Sequence, residues 1–454
     1  MAISSVMIVC SIKDGHDWGD DFSLYIAQAK SIINLSINEL YSLNKYSMQN
    51  SEGLIGPYLY PFGFPLLLSP AYYFFGMNFF LMKGICGLFL VLSIPMTYRL
   101  FKNRFSNSFY PFCIIMSFGF HSGFITFSNN ILSDLPFFFF SNLSLMLITK
   151  RNTQMNQIIL GSVIFLSYLI RDIGIVLVPT LLAYQIHVFY TKKETRKLFN
   201  FLTPHIVFIL FLVIIKVLLP PGAENHYSEL LNSNTLSNLI NNLFYYKELV
   251  TYHFFKTGSS ALFWILFFTV ILGMIKTWKQ NFHFIVYTIL ICIVLFIWPA
   301  QQGIRFIFPI LPIIFYFILK GTMFLWENVR LKESILRMIL FVFFMIFLFM
   351  QIRDIVMFNR WETNESYTHE MIKIYHFISE NIPKKEIIVF NKPRALRLFT
   401  DRNAISVNQI HFAESKANYL LIQKQDTLNE RTKTYKEFYE TENFILFKRK
   451  VFGL

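Results

Sequence analysis

The sequence predicts a mainly α, polytopic membrane protein of about 10–11 transmembrane helices, with a small α/β domain at its C-terminal end. Three observations predict it. Of the 454 residues, 54% are hydrophobic and only 15% charged, against about 25% charged in soluble domains, which excludes a soluble globular chain. Apolar runs recur at close to the length that crosses a bilayer, about 20 residues. The charge is also unevenly spread. Residues 1–352 hold 24 Lys+Arg and 14 Asp+Glu, whereas the last 102 hold 17 and 13. The chain therefore reads as a membrane domain over 1–352 and a water-soluble domain over 353–454.

The spans read at about 83–101, 108–127, 131–149, 157–170, 173–190, 200–219, 260–275, 282–298, 306–320 and 338–352. Met1–Ile12 is apolar but only about 18 Å long as a helix, short of the roughly 30 Å hydrocarbon core. It is read as a first helix lacking residues at its start, in preference to a cleaved or interfacial segment, because an inside-to-outside first crossing places every later basic loop correctly. Basic clusters fall in every second loop: Arg99, Lys102 and Arg104; Lys150 and Arg151; Lys192, Lys193, Arg196 and Lys197; Lys276 and Lys279; Lys320, Arg330, Lys332 and Arg337. These 15 bases face three acids, Glu194, Glu327 and Glu333, in the same loops. Such a bias marks the cytoplasmic side. It places the N-terminus inside and the C-terminal domain outside, and explains the net charge of +14 without nucleic acid.

Cys10, Cys86, Cys113 and Cys292 lie in apolar segments without metal-ligand spacing and read as small buried side chains. Two outer loops are long, 13–82 and 220–259, and both mix aromatic and polar residues at the spacing of interfacial helices. The first carries Asp14, Asp17, Asp20 and Asp21 around His16. Asp20 and Asp21 directly precede FSLYIAQAKSI, an amphipathic helix pattern. Carboxylates there can cap the helix, worth about 1 kcal/mol. They can equally act as a general base or hold a divalent cation.

Asp134, in SNNILSDLPFFFF, opens a helix on the same side of the membrane, where an isolated carboxylate is expensive unless paired or solvated. It either caps that helix or joins Asp20 and Asp21 at one site. Arg171, in SYLIRDIGIVLVP, and Arg305, in PAQQGIRFIFPILP, are outer-side arginines in apolar surroundings. The guanidinium fork suits a phosphate. Snorkelling, or pairing of Arg171 with Asp172, is the plainer alternative.

These segments resemble the GT-C superfamily of integral-membrane glycosyltransferases, in particular the group similar to protein O-mannosyltransferases and lipid A aminoarabinose transferases. GDDFSLYIAQAKSI resembles the acidic motif after the first helix. YPFGFPLLLSP resembles the Pro/Gly-rich end of the first loop, SDLPFFFF the second acidic position, and QGIRFIFPILP the late R-[YF]-x-x-P-x-x-P helix start. LIRDIGIVLVP matches an Arg-containing turn common in the group, and the resemblance covers most of 13–320. The first loop departs from the pattern at Phe62, and no lysine accompanies the segment.

The resemblance implies a bacterial inner-membrane enzyme taking a sugar from a polyprenyl-phosphate donor to a lipid, glycan or protein hydroxyl on the extracytoplasmic face. It implies Asp20 as the catalytic carboxylate, with Asp21 its neighbour or alternative. Asp134 would be a second site acid, and a divalent cation is a candidate at Asp20, Asp21 and Asp134. Arg305 and Arg171 would hold the donor phosphate, and His16, Tyr25 and Tyr60 are the candidates for substrate contact in the first loop. A lipid or sugar transporter is the rival class. It would carry mid-helix charges and inverted repeats, and neither is legible.

In the last 102 residues, THEMIKIYHFISENIP reads as an amphipathic helix, EIIVF, NAISV, NYLLIQK and ENFILFKR as strands, KPRALRLF as a short helix, and NERTKTYKEFYE as a polar helix. Lys433 and Lys436 read as its solvated face. The domain lacks a nucleotide-binding glycine fingerprint and is expected to be a scaffold or to recognise the acceptor.

Overall fold

The structure, a computed structural model, describes residues 1–52, 56–150, 152–192, 198–218, 220, 235–329, 332–361, 364–407, 410–424 and 434–450. Arg151, the 193–197 stretch, most of the start of the second outer loop (221–234), Arg330 and Lys433 lie outside the described residues. The chain divides into two compact units. One comprises Met1–Ile12, Lys83–Leu218 and His226–Glu362; the other, Lys13–Met82, Leu219–Asn225 and Thr363–Leu454.

The first unit is helical. Six described helices are long and apolar enough to cross a bilayer: Phe79–Lys102, Asp172–Thr191, Asn200–Leu218, Ser260–Ile297, Ile304–Val329 and Glu333–Phe358. Ala2–Ser11, Phe109–Gly119, Asp134–Ile148 and Gln154–Ile170 are shorter apolar helices. With this complement the chain is an integral membrane protein. The stretch read as one span over 108–127 is broken: Phe109–Gly119 ends before His121, whose imidazole accepts from the Gly123 N–H at 2.9 Å and so caps a second helix, Ser122–Phe127. Conversely, the spans read at 260–275 and 282–298 are one 38-residue element bent at Asn281. Asn281 is held in the bend by Arg104, which donates to its Oδ1, and by its own donation to the Tyr316 hydroxyl at 2.8 Å. At Gly273 and Gly321 this element and the Leu311–Val329 helix come so close that a Cβ on either glycine would strike the opposite backbone, at Phe317 and Thr269. Small residues permit such approach between membrane helices. The end of the bent element is closed by Asn242, whose side-chain amide donates to the Leu295, Phe296 and Trp298 carbonyls, satisfying acceptors that a helix end leaves free.

The second unit joins the first long loop to the C-terminal region. Its five-stranded sheet comprises β1 (Ile387–Val389), β2 (Asn403–Ile405), β3 (Tyr419–Gln423), β4 (Tyr435–Glu440) and β5 (Phe444–Arg449), in the order β2-β1-β3-β5-β4. β1 is parallel to β2 and β3; β5 is antiparallel to β3 and β4. The helix read at THEMIKIYHFISENIP forms as His369–Asn381, and the short helix as Pro393–Thr400. The polar helix expected at NERTKTYKEFYE does not form over its described part. Tyr435–Glu440 is instead an edge strand, because pairing with β5 and burial of Tyr435 (2% exposed) outweigh the helix propensity of its Lys and Glu. A helix at Ile410–Lys416 was not legible.

The loop 13–82 folds as the helices Asp20–Ile33, Ile37–Asn50 and Gly63–Phe75. It is stitched to the C-terminal region by main-chain bonds from Glu52 N–H to the Ser406 carbonyl (2.8 Å), and by Ser406 N–H donating to Ser51 Oγ (2.9 Å). Arg402, buried, closes the Pro393–Thr400 region by donating to the carbonyls of Ile382 and Thr400 at 2.7 and 2.8 Å.

Candidate functional site

In the second unit, Asp20 and Asp21 form the first turn of the Asp20–Ile33 helix, one position past its cap. The cap is Gly19, which makes no side-chain bond. Neither acid is therefore the N-cap residue. Asp21 accepts from the Tyr60 hydroxyl at 2.5 Å. Tyr60 is fixed by Gln28, which accepts from its N–H at 2.8 Å and donates to its carbonyl at 2.9 Å, and by stacking on Tyr25, ring centroids 4.6 Å apart. Tyr60→Phe should cost about 1.5–3 kcal/mol, the range for a hydrogen bond to a charged group, read as a lower Tm of the intact protein.

Asp20 is different: its Oδ1 is buried and has no hydrogen-bond partner among the described residues. Burial drives its carboxyl above the ordinary carboxylate value, and Asp21 adds to that. Arg394, Lys392 and the Ala395 N–H pull the other way without overcoming it. These cations open the Pro393–Thr400 helix, so the C-terminal region supplies the charge that surrounds the first-loop acid. A carboxylate of raised proton affinity with a free oxygen is equipped to take a proton. His16, Tyr25 and Tyr60 are 2%, 5% and 9% exposed. They build the site more than they line it. His16 stacks on Phe22 at 4.0 Å, bonds Asp17 Oδ1 at 2.7 Å, and its carbonyl accepts from Ser366 Oγ at 2.6 Å.

In the first unit, Asp134 opens the Asp134–Ile148 helix and is 3% exposed. Arg171 Nη1 donates to its Oδ1, and Arg305 Nη1 lies 4.0 Å from its Oδ2. Both guanidinium groups lie near the Phe306 ring, 4.7 and 5.7 Å from its centroid, and Arg305 also donates to Gln302 Oε1. Arg171 thus pairs with Asp134, and Asp134 is half of an ion pair, not an isolated acid. A third cation was missed by sequence reading: Lys83 is fully buried and donates to Asn129 Oδ1 at 2.9 Å. Two guanidinium groups beside one carboxylate leave an excess of positive charge suited to an anion. Among the described residues, no group of three or more His, Cys, Asp or Glu is gathered to hold a metal ion.

By sequence, neither a family profile nor a curated protein matches the chain. By structure, the chain superposes on ArnT from Cupriavidus metallidurans bound to undecaprenyl phosphate with a TM-score of 0.62 at 9% identity, covering 98% of this chain and 96% of that one. The chain has the GT-C fold. An Archaeoglobus fulgidus oligosaccharyltransferase in complex with zinc and sulfate aligns at TM-score 0.57 and 11% identity, over 99% of this chain and 72% of that one. The oligosaccharyltransferase AglB from the same organism, in complex with an inhibitory peptide and a dolichol-phosphate, aligns at 0.53 and 10%, over 93% and 68%.

Within this fold, the residues that sequence reading overlooked can be traced back to the sequence. Lys83 stands alone in FFLMKGICGLF and belongs to neither side's loop count. Lys392 and Arg394 flank a proline in KPRALRLF, read there only as a helix start. A lone cation in an apolar frame was the clue for Lys83, and a cluster of cations around a proline for Lys392 and Arg394.

Proposed function

We propose that the protein is a glycosyltransferase that moves a sugar from a polyprenyl-phosphate donor to an acceptor hydroxyl on the extracytoplasmic face of a bacterial inner membrane. The observation that carries this reading is Asp20: a first-turn carboxylate, raised in proton affinity, with one buried oxygen that has no hydrogen-bond partner among the described residues. Asp20 takes the proton of the acceptor hydroxyl while the acceptor oxygen attacks the anomeric carbon. The bond from that carbon to the phosphate oxygen breaks, and its electron pair leaves with the lipid phosphate. The growing charge on this leaving group calls for cationic stabilisation, for which Arg171 and Arg305 are the candidates. Attack opposite the leaving group inverts the anomeric centre.

In this reading Asp21, bonded to Tyr60, keeps Asp20's proton affinity up, and Asp134 orients Arg171. The residues around Asp20 do not fit a divalent-cation cage. Among the described residues, Asp20 and Asp21 are two carboxylates without a third acidic or imidazole donor in the group, and Arg394 and Lys392 already supply positive charge there. No step is routed through a metal. The acceptor is a lipid, glycan or protein hydroxyl, and N-terminus-inside topology puts the second unit on the acceptor's side.

The test is transfer by the purified protein in lipid nanodiscs from a panel of radiolabelled polyprenyl-phosphate sugars. Transfer from at least one donor is expected. A panel with no transfer, together with donor lipid moved across vesicles containing the protein, would replace the enzyme by a transporter.

A further inference from the structure

A cleft of about 310 Å³ lies in the second unit, along the face of the Asp20–Ile33 helix that carries Ala27, Lys30, Ser31 and Asn34. Its far wall is the Pro393–Thr400 helix with Arg394 and Arg397. Arg397 is only 8% exposed. Its Nη1 donates to Asn44 Oδ1 at 2.6 Å, but its Nε and Nη2 are buried and have no acceptor among the described residues. These two nitrogens form one edge of the guanidinium fork, the edge that binds two oxygens of one oxyanion side by side. Leaving a buried charged donor without a partner is costly, so a ligand for this edge would recover a large penalty.

The charge around the cleft fixes the ligand's class. Lys30, Lys384, Arg394 and Arg397 line it against two acids, Glu39 and Asp401, an excess of two positive charges (four bases less two acids). The Lys30–Asp401 pair at 2.8 Å neutralises itself, and on the rest of the lining Lys384, Arg394 and Arg397 outnumber Glu39, while Asp20, off the lining, also attracts the two arginines. A phosphate monoester carries about −1.5 to −2 at neutral pH. The volume is at the lower end for small-molecule sites, about 300 Å³, room for more than a bare phosphate. Ser31, Asn34 and Asn403 on the lining suit hydroxyl groups.

We propose that this cleft binds a phosphate monoester attached to a small polar group such as a sugar, with the phosphate on the Nε–Nη2 edge of Arg397. The site is separate from the donor-phosphate residues of the first unit and stands whether or not the chain transfers sugars.

The experiment is isothermal titration calorimetry of the full chain in neutral detergent with inorganic phosphate and with glucose 1-phosphate, in phosphate-free buffer. Saturable binding is expected, tighter for glucose 1-phosphate. Ala27→Glu, which brings a carboxylate into the cleft, and Arg397→Lys, which keeps the charge but loses the two-nitrogen edge, should each weaken it by about tenfold or more, the worth of one charge-assisted pair. Should Arg397→Lys fail to fold, Ala27→Glu still decides, since Ala27 is half-buried on the cleft face. Arg305→Gln should leave this binding intact. No saturable heat, unchanged affinity in the cleft variants, or loss in Arg305→Gln alone would overturn the proposal. Repeating the titration in nanodiscs doped with phosphatidic acid separates the sources. Competition by the lipid identifies a membrane headgroup as the ligand, and its absence a soluble phosphate ester; both support the site.

Discussion

The Asp20→Asn variant is expected to lose about 10²–10⁴-fold in transfer rate, the worth of a general base, and to melt no lower than the wild type. The two halves of this expectation have one cause. Burial raises the Asp20 carboxyl above its ordinary value of 3.8, so the folded chain holds that proton more tightly than the unfolded chain does. Between 3.8 and the folded value, folding therefore binds a proton, and stability falls as pH rises through that window. Above it the full cost of the buried anion is present. Asn removes that cost, and with it the base. Attraction to Arg394 and Lys392 is also lost, but desolvation is the larger influence because the net shift is upward. The pH profile gives an independent check. The acid limb of transfer should lie above the ordinary carboxylate range. Asp21→Asn should move it down, since the Asp21 charge is one of the influences that raise Asp20. Full transfer by Asp20→Asn, or an acid limb that Asp21→Asn leaves unmoved, would remove Asp20 from the mechanism.

How much of this was legible in the sequence depends on what each signal measures. The rarity of charge in residues 1–352 made Asp20, Asp134, Arg171 and Arg305 stand out, and the structure gives each a defined setting. Charge marked membrane edges better than helix ends, however. The last span read at 338–352 continues as a helix from Glu333 to Trp361, since Arg353 and Asp354 leave the apolar layer without breaking the backbone pattern, and Asp354 pairs with Lys256. Likewise the loop 13–82 was read with the membrane domain, whereas it packs with the C-terminal region in one compact unit. Those contacts run between residues more than 300 positions apart, such as Arg397 with Asn44, and no local periodicity encodes them. The strand at Tyr435–Glu440 was missed for the same reason: its partner β5 decides its conformation. Partner choice was equally hidden for Arg171, which donates to Asp134, 37 positions away in sequence, besides acting electrostatically on its neighbour Asp172.

That choice makes Arg171 and Arg305 separable, although both are read as phosphate ligands. Arg171→Gln would leave the 3%-exposed Asp134 without its hydrogen-bonded cation, a loss of about 3–5 kcal/mol of stability when a buried pair is broken from one side. Arg305 stands 4.0 Å from the same carboxylate and also occupies Gln302. Arg305→Gln should therefore lower Tm little and instead cut kcat/KM by about 10²–10³-fold, as removal of one charge-stabilising donor does. The double variant Arg171→Leu with Asp134→Leu distinguishes the pair's two roles. Replacing a buried ion pair by apolar side chains is often neutral for stability or better, so Tm should recover. Transfer should not, because the phosphate has lost a ligand. If the double variant regains both Tm and transfer, the pair is scaffolding and the donor phosphate is held elsewhere. If Arg305→Gln keeps wild-type kcat/KM at limiting donor, the cationic cluster around Asp134 is not the site of the leaving group.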